Sequence, residues 1–368
     1  MKKRFLGVLL SVAMVAAVLA GCGSSGAKET AAPAGSETEA ASEAASGETE
    51  AAGNTGDVIT VGFSQVGAES DWRTANSESM KSTFSTENGY NLIFDDAQQK
   101  QENQIAAIRN FIQQEVDYIV LAPVTESGWD TVLQEAKDAE IPVIIVDRMV
   151  DVSDDSLYTA WVGSNFKLEG QKACEWLKQY AAAKNMSEVN IVDIQGTIGA
   201  SAQIGRTEAL NEAVEANGWN LLAQQTGEFT QAKGQEVMES MLKQYDNINV
   251  VYCENDNEAF GAIEAIKAAG KTVGPDRDIL VMSFDTTKQG ITDTLSGDII
   301  VNTECNPLHG PRVEQIIKQL QAGETPEKQA YVEEGIYAHG SDVASVSIDG
   351  TDYEVTEVTQ DVVDARAY

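Results

Sequence analysis

The sequence predicts an α/β protein built from two doubly wound lobes, each formed around a parallel sheet. From Val58 onward, short β-rich runs alternate with amphipathic stretches, with one pair in roughly every 25–30 residues, as α/β units require. Several runs are continuously apolar, which is typical of strands buried on both faces. Ten such runs are too many for one open sheet with a single switch point, and a length of 368 residues suggests two domains rather than one.

The ten predicted strands share β-rich composition and are bounded by turn or helix signals. Gly89 and Gly270 follow helical stretches as C-terminal caps, and Pro307 or Pro311 opens the last long helix near its first turn. The tail 341–368 is β-like but has no assigned place. The predicted strands are 59–66, 91–97, 118–124, 142–148, 158–164, 190–196, 220–227, 249–255, 279–285 and 299–305.

The charge balance excludes one class of partner. The chain carries 25 Lys and Arg residues against 58 Asp and Glu residues, for a formal net charge of −33. A chain this acidic lacks the basic surface that binds nucleic-acid phosphates, and it is repelled by anionic lipid headgroups.

Four cysteines in a chain long enough to build its own core do not indicate a disulfide framework. With only two histidines and no metal-ligand spacing, we predict no metal site and no cofactor.

The N-terminus has the pattern of a secretory signal. Lys2, Lys3 and Arg4 precede an apolar run that is too short for a stable transmembrane helix. The run ends in Leu19-Ala20-Gly21-Cys22, which resembles a bacterial lipobox. We therefore expect residues 1–21 to be a signal peptide and Cys22 to be lipidated. A plain signal peptide with a chance cysteine is the alternative.

Residues 22–57 are predicted to form a disordered acidic tether. Residues 23–57 contain no Val, Ile, Leu, Met or aromatic residue, so they cannot bury enough surface to offset chain entropy. The expected location is therefore the cell surface or the periplasm. Contact with a bacterial membrane is expected through the lipid anchor only.

Unusual polar and aromatic residues follow the predicted strands at their carboxyl ends, where doubly wound sheets bind ligands. Taken together they suit a monosaccharide, whose C–H face packs on an aromatic ring and whose hydroxyls both donate and accept hydrogen bonds. Each Arg beside an Asp also offsets the cost of burying the other. The candidate residues are Glu69, Trp72, Arg73, Asp147, Arg148, Arg206, Phe229, Asn255 and Asp285.

Each candidate taken alone has a plainer explanation. Asp147-Arg148 fits a surface ion pair, and Trp72 fits a core position. Asn255 precedes an apolar helix with Glu258 three residues later, which is a capping pattern, and Asp285 also fits a helix cap. Their recurrence at strand ends favours a shared binding site.

Enzyme motifs are weak in this chain. Ser-x-x-Lys occurs at Ser164–Lys167 and Ser240–Lys243 without the companion motifs of the enzymes that use it. The pair Asp95-Asp96 lies on a strand, where neighbouring side chains face opposite ways. We therefore predict that the protein is not an enzyme.

Seven stretches of the chain resemble periplasmic sugar-binding proteins of ABC importers, within about residues 58–340. The nearest subgroup is the galactofuranose-binding proteins, and ribose-binding proteins are more distant. The stretches are GFSQVGAESDWR, QQKQENQI, LAPVTESGW, EAKDAEIPVIIVDR, QGTIGASAQIGR, GEFTQAKGQEVMES and END.

The resemblance implies a periplasmic binding protein type I fold, in which three segments form the hinge between the lobes. By position, the N-terminal lobe comprises 58–160 plus 306–336, and the C-terminal lobe comprises 161–305 plus 337–368. The three crossings are expected near Trp161, Cys305-Asn306 and Gly335-Tyr337.

The resemblance also implies roles for the candidate residues. Trp72 matches the first-lobe aromatic, and Arg73 replaces a second aromatic of ribose binders, which argues against ribose and favours a ligand with an extra hydroxyl or exocyclic arm. Glu69 lies in a variable loop, and a glutamine of ribose binders falls near Cys305 here. Asp147 and Arg148 match the first-lobe polar pair, and the second-lobe set is matched by Arg206, Phe229, Asn255 and Asp285.

The resulting expectation is a lipid-anchored solute-binding protein that captures a monosaccharide for an ABC importer. Trp72 and Phe229 are expected to sandwich the sugar ring, which is galactofuranose-like or a related hexose or pentose. The expected partners are the permease subunits, and the expected state is a monomer. Two alternatives stay open: a sugar-sensing receptor that feeds a sensor kinase, and a secreted glycosidase.

Overall fold

The computed structural model describes residues 58–368. The predicted signal peptide, the lipidation site at Cys22 and the tether all lie outside the described residues. None of the helices within 58–368 combines the length and the apolar character that a membrane crossing requires.

The first half of the described chain alternates strands and helices. Its elements are β1 (Ile59–Gln65), α1 (Asp71–Thr83), β2 (Tyr90–Asp96), α2 (Gln101–Gln113), β3 (Tyr118–Leu121), α3 (Asp130–Asp138), β4 (Val143–Val146), β5 (Ala160–Gly163) and α4 (Phe166–Ala183). Short 3₁₀ helices lie at Thr86–Asn88 and Asp155–Leu157.

The second half continues the alternation and ends in short strands. Its elements are β6 (Asn190–Gln195), α5 (Ser201–Asn217), β7 (Asn220–Thr226), α6 (Gln231–Gln244), β8 (Val250–Cys253), α7 (Asp256–Ala268), β9 (Leu280–Asp285), α8 (Lys288–Ser296), β10 (Val301–Glu304), α9 (Gly310–Gln321), β11 (Gln329–Tyr331), β12 (Ile336–Ala338), β13 (Ser345–Ile348), β14 (Thr351–Glu357) and α10 (Gln360–Ala365).

Two sheets organise these elements and confirm the predicted fold class. The first sheet has six strands in the order β11-β5-β4-β3-β1-β2, all parallel. The second has eight strands in the order β13-β14-β12-β10-β9-β8-β6-β7. Its strands from β6 to β10 are parallel, whereas β12 pairs antiparallel with β10 and β13 pairs antiparallel with β14. Each of the ten predicted strands coincides with an observed one.

The chain passes between the sheets three times. The first crossing segment is 164–165, between β5 and α4; the second is 305–309, between β10 and α9; the third is 332–335, between β11 and β12. Helix α9 then packs back against α1 of the first lobe, where Gly310 N donates to Ser79 Oγ at 3.0 Å.

Backbone pairing moves two of the predicted lobe boundaries. The boundary after Ala160 falls inside β5, which pairs with β4 through Val162 and Val146 and so belongs to the first sheet. The boundary after Ile336 falls inside β12, because Ile336 pairs with Thr303 of β10 in the second sheet. The third boundary, after Cys305, falls within the second crossing segment.

Buried apolar side chains cover both faces of each sheet, as the continuous apolar runs predicted. Two clusters enclose the first sheet, around Phe63 and Val120 on one face and Phe111 and Ile119 on the other. Two more enclose the second sheet. The strands are held firmly between helices, and the loops at their carboxyl ends are left to build the cleft.

Candidate functional site

A cavity with an empty volume of about 290 Å³ lies where the carboxyl ends of the two sheets meet. All nine residues predicted from the sequence line it, namely Glu69, Trp72, Arg73, Asp147, Arg148, Arg206, Phe229, Asn255 and Asp285. The structure thus brings the whole predicted set together at one place.

Four further residues, which were not predicted as ligands from the sequence, also line the cavity. Ser70 caps α1, where its side chain accepts a hydrogen bond from Arg73 N. Phe166 begins α4 and Ala202 lies in the first turn of α5. Cys305 was placed in an apolar strand, but β10 ends at Glu304, so the cysteine lies in the second crossing segment with its side chain against the cavity.

A buried ion network forms the first-lobe wall. Arg73 donates from Nε to Glu69 Oε1 at 2.9 Å, from Nη1 to Gln65 Oε1 at 3.2 Å and from Nη2 to Asp147 Oδ2 at 2.8 Å. Burial alone would lower the pKa of Arg73, but Asp147 and Glu69 outweigh it and raise that pKa. The guanidinium is therefore held charged and fixed in direction by three acceptors.

Arg148 completes this wall from the turn after β4. Its Nη1 donates to Val124 O at 2.9 Å, and its Nη2 lies 3.8 Å from Glu69 Oε1. Burial, with Arg73 close by, lowers the pKa of Arg148 to about 10. Asp147 and Arg148 are each only 3% exposed, which excludes the surface ion pair.

Two predicted aromatics lie in a buried apolar cluster that joins the lobes. Trp72 and Phe229 share it with Phe166, Ala202 and Cys305, among others. Trp72 Nε1 donates to Cys305 O at 2.7 Å, and the guanidinium carbon of Arg73 lies 4.6 Å from the Trp72 ring centroid. Trp72 is therefore both a packed residue and a wall of the cavity.

Phe229 is held by an unusual backbone arrangement. Its φ of 61° lies in the left-handed region, its N–H donates to Glu258 Oε1 at 2.9 Å and its carbonyl accepts from Asn255 Nδ2 at 3.1 Å. The ring lies against Gly196, where a Cβ would stand 1.9 Å from Phe229 Cζ. Asp147 and Asp285 also have positive φ, at 63° and 100°. Strained backbone of this kind is enriched at functional sites.

Arg206 of α5 provides the second-lobe cation. Its Nε donates to Glu169 Oε2 at 2.8 Å, and its Nη1 donates to Glu254 O. Burial would lower its pKa, but Glu169, with Cys305 and Asp285, raises it well above the usual value. Glu169, in the first turn of α4, was not predicted from the sequence.

Asn255 and Asp285 differ in how far the rest of the protein already occupies their hydrogen-bonding groups. Asn255 is the N-cap of α7, with Oδ1 accepting from Glu258 N at 2.8 Å, so the capping explanation holds alongside its place in the cavity. Asp285 does not cap α8, because Thr287 does. Its Oδ1 lies 3.7 Å from Arg206 Nη2, and burial raises its pKa well above the usual value although Arg206 opposes the shift.

Two buried polar atoms of cavity residues have no hydrogen-bond partner among residues 58–368. They are Glu69 Oε2, an acceptor from the first lobe, and Arg206 Nη2, a donor from the second. Arg206 Nη2 nevertheless lies in an ion pair with Glu169 Oε2 at 2.8 Å. Orphaned polar atoms in a dry cavity are costly unless something else satisfies them. A small molecule with several hydroxyls has the donors and acceptors to do so.

Three hydrogen bonds outside the crossing segments also join the lobes. Asp71 N donates to Asn257 Oδ1 at 3.0 Å. The other two are Met149 N to Ser201 Oγ at 2.9 Å and Glu126 N to Gly199 O at 2.9 Å. The cleft is therefore bridged around the cavity in this structure.

One group of described residues comes close enough to share a metal ion. The ligand atoms of Glu169, Cys305 and Glu334 all lie within 4.8 Å of one another. The Arg206 guanidinium already occupies Glu169, and burial raises the pKa of the Cys305 thiol, whereas a metal needs the thiolate. The donor set therefore does not fit a metal well.

The chain matches known binding proteins in sequence and in structure. Residues 61–303 match the periplasmic binding protein domain. The chain is 42% identical to the galactofuranose-binding protein YtfQ of Escherichia coli K12 over 284 residues, which are 76% of this chain and 87% of that protein.

Two solved structures are similar over the same share of the chain. A Mycobacterium smegmatis protein in complex with β-D-fucofuranose is 44% identical with a TM-score of 0.73, covering 76% of this chain and 91% of that one. The binding component of the arabinose ABC transporter from Shewanella sp. ANA-3, bound to α- and β-L-arabinofuranose, is 42% identical with a TM-score of 0.71, covering 76% and 92%. YtfQ is named for galactofuranose binding, and the Shewanella protein is a component of a sugar ABC transporter. These relatives agree with the prediction of a sugar-binding transport protein rather than an enzyme. The resemblance is confirmed: the chain belongs to the periplasmic binding protein family.

Proposed function

We propose that this protein captures a monosaccharide in its furanose form, galactofuranose-like or a related hexose or pentose, for an ABC importer. The observation that carries the proposal is the cavity itself. Glu69 Oε2 of the first lobe has no hydrogen-bond partner among residues 58–368 and lies in a space lined by Trp72 and Phe229. The Arg206 guanidinium enters the same space from the second lobe, with Nη2 in an ion pair with Glu169 Oε2 at 2.8 Å. Furanoses bound to the M. smegmatis and Shewanella proteins support the choice of ring form.

The residues divide by the kind of contact they offer the sugar. Trp72 and Phe229 pack against the C–H faces of the ring. Hydroxyls are held by Asp147, Arg148, Arg206, Asn255 and Asp285, and Asn255 contributes the Nδ2 hydrogen that Phe229 O does not use. Glu69 and Arg73 contact the part that distinguishes this sugar from ribose.

Capture works by closing the cleft. A sugar that touches both lobes binds the closed arrangement better than the open one and shifts the population toward it by that difference in affinity. The three hydrogen bonds between the lobes add to the closed state. The closed form, as a monomer, then delivers the sugar to the permease subunits.

Calorimetry tests this function. D-galactose, D-fucose and L-arabinose, whose solutions contain furanose forms, are compared with their methyl pyranosides, which cannot open to a furanose. We expect at least one free sugar to bind and its methyl pyranoside not to bind. Arg206→Ala abolishes binding, whereas Arg109→Ala, which removes an exposed arginine paired with Glu135, leaves it unchanged. Equal binding of free sugar and pyranoside overturns the choice of furanose.

We also propose that Cys22 carries the lipid that holds the protein to the membrane. The lipobox and the polar composition of 23–57 support this. Fractionation of cells that express the protein tests it: wild type is expected in the membrane fraction and Cys22→Ser in the soluble fraction. A wild-type protein that is found in the soluble fraction contradicts the anchor.

A further inference from the structure

One carboxyl group connects all three crossing segments. Glu334 lies on the third crossing, and its Oε1 accepts from Ser164 Oγ of the first at 2.6 Å and from Asn306 N of the second at 2.7 Å. Its backbone carbonyl accepts from Lys172 Nζ of α4 at 2.9 Å. Any change in the angle of the hinge must therefore strain or break bonds made by this one residue.

A second carboxyl faces the first and holds the sugar site. Glu169 is 1% exposed and lies in the first turn of α4, immediately after the first crossing. Its Oε2 accepts from Arg206 Nε at 2.8 Å, whereas its buried Oε1 has no hydrogen-bond partner among residues 58–368. A carboxyl oxygen of Glu334 lies within 4.8 Å of a carboxyl oxygen of Glu169.

Two facing carboxylates, one buried and one half-buried, repel each other, and an orphaned oxygen adds the cost of an unmade hydrogen bond. One proton held between the two groups removes both costs. It converts one acceptor into a donor and gives Glu169 Oε1 a partner. Ser164 Oγ and Asn306 N do not provide this hydrogen bond to Glu169 Oε1, because both already donate to Glu334 Oε1.

We propose that Glu169 and Glu334 share a proton and act together as positioning residues, which orient Arg206 in the cavity only while the three crossing segments are correctly joined. This inference rests on the proposed sugar site, since Arg206 is the group it positions. It couples the geometry of the hinge to the direction of the Arg206 guanidinium, whose Nε and Nη2 both lie 2.8 Å from Glu169 Oε2.

The charged surroundings favour retention of the proton. Burial raises the pKa of Glu334 well above its usual value, and Glu169 adds to the shift. Burial also raises the pKa of Glu169, although Arg206 opposes the shift. The groups that face the pair from the packed elements are Arg206 of α5, Lys172 of α4, Glu304 of β10, Asp285 of β9 and the Cys305 thiol.

The sign of the pH effect follows from the pair. When alkaline pH removes the shared proton, both groups are charged and push apart, so Glu169 no longer holds Arg206 in place. Sugar affinity is therefore expected to fall as the pH rises. Coupling of this kind changes affinity by about 5- to 150-fold.

Substitutions at Glu334 test the pair in the full chain, with the sugar of the calorimetric panel that wild type binds most tightly. A carboxamide imitates the protonated group: its oxygen accepts from Ser164 and Asn306, and its N–H donates to Glu169 Oε1. Glu334→Ala is expected to weaken binding by at least about fivefold. Glu334→Gln recovers most of that loss and binds with an affinity that no longer depends on pH.

Glu333→Gln is the matched control, because Glu333 is the exposed neighbour on the same crossing segment. It is expected to keep both the wild-type affinity and the wild-type pH profile. A pH profile of Glu334→Gln that matches wild type overturns the proposal, and so does wild-type affinity in Glu334→Ala.

A measurement without sugar separates this inference from the proposed function. The Arg206 Nε–H resonance, assigned with Arg206→Lys and followed by ¹⁵N NMR, reports how Glu169 holds the guanidinium. We expect it to shift at alkaline pH in wild type and in Glu333→Gln but not in Glu334→Gln. If no sugar binds wild type, the proposed function fails while this resonance still decides the carboxyl pair. A resonance that behaves alike in all three proteins overturns the pair.

Discussion

Arg73 lines the cavity, yet most of its hydrogen-bond donors are already used within the protein. Three of its nitrogens already donate to Glu69, Gln65 and Asp147. Its main effect is therefore to fix Glu69 so that Oε2, the unpartnered acceptor, keeps one direction. The sequence placed Arg73 at the site correctly, but it did not show that the guanidinium is largely occupied by protein acceptors.

Replacement of Arg73 by lysine tests this view. A lysine ammonium cannot reproduce three planar contacts, and each hydrogen bond to a charged group contributes about 1.5–3 kcal/mol. We expect Arg73→Lys to weaken sugar binding by at least about tenfold, measured by calorimetry. The matched control, Arg109→Lys, changes an exposed arginine that pairs with Glu135 and should bind as wild type does. A tenfold loss of sugar affinity in Arg109→Lys as well contradicts a local role for Arg73.

Asp193, on β6 beneath the cleft, gives a prediction about pH and stability. Burial raises its pKa to about 8, although Gln224 Nε2 donates to its Oδ2. In the unfolded chain the pKa is about 3.9, so between about pH 4 and pH 8 the folded state keeps a proton that the unfolded state releases. The stabilisation is complete below about pH 4 and is lost as the pH rises through about 8.

We therefore expect Asp193→Asn to unfold with a free energy that depends less on pH, and to be more stable than wild type above pH 8. Urea unfolding at a series of pH values from about 5 to 9 measures this. Asp246→Asn, at an exposed position, should keep the wild-type dependence. Parallel curves for wild type and Asp193→Asn count against the assignment.

At the scale of elements, predictability depended on length and burial. Most strands from β1 to β10 carry apolar runs that both sheet faces bury, and the half-buried edge strands β2 and β7 are seven residues long, so each one was predictable. By contrast, β11 and β12 have three residues each, and β14, next to the end strand of the second sheet, is exposed at four of its seven positions. Such strands carry few apolar residues, and tertiary pairing decides them. The same limit displaced the boundaries at Ala160 and Ile336, because a crossing of two to five residues has no pattern of its own.

The C-terminal segment after β14 contacts the end of β10. Arg366 Nη1 donates to Glu304 Oε1 at 2.7 Å, and Tyr368 OH donates to the same oxygen at 2.9 Å. Without Arg366, the largely buried Glu304 carboxylate loses one of its two hydrogen-bond donors from this segment. We expect Arg366→Ala to lower the free energy of unfolding by about 1.5–3 kcal/mol, measured by urea unfolding. Arg312→Ala, at an exposed arginine of α9, is the control and should have almost no effect.

At the scale of the whole molecule, the cavity depends on two lobes that approach each other. The sequence predicted which strand ends would meet, because carboxyl ends of parallel strands share one edge. It did not predict the contacts between lobes, such as Asp71 N to Asn257 Oδ1, since these depend on loop geometry. The positions of Glu169 and Glu334 also follow from the way the crossings pack, which no local pattern encodes.

Asn257 allows the closed state to be tested without altering the cavity lining. Asn257→Ala removes one hydrogen bond between the lobes, which contributes about 0.5–1.5 kcal/mol. We expect the sugar to dissociate about 2- to 10-fold faster because the closed population falls, measured by stopped-flow fluorescence. Asn110→Ala, on the exposed face of α2, should dissociate as wild type does. Unchanged dissociation from Asn257→Ala would show that this bond does not hold the cleft.

The three crossings also determine when each half of the protein can be completed during synthesis. The first sheet begins at Ile59 but receives its last strand, β11, only at Tyr331, and the second sheet is complete only at Glu357. Neither half is a continuous stretch of chain, so a ribosome must release nearly the entire polypeptide before either can close its edge. Sequence-distant pairings of this kind slow folding. A nascent chain of this topology therefore cannot complete either sheet until its end emerges, and an incompletely folded chain is easier to thread through a narrow translocation channel.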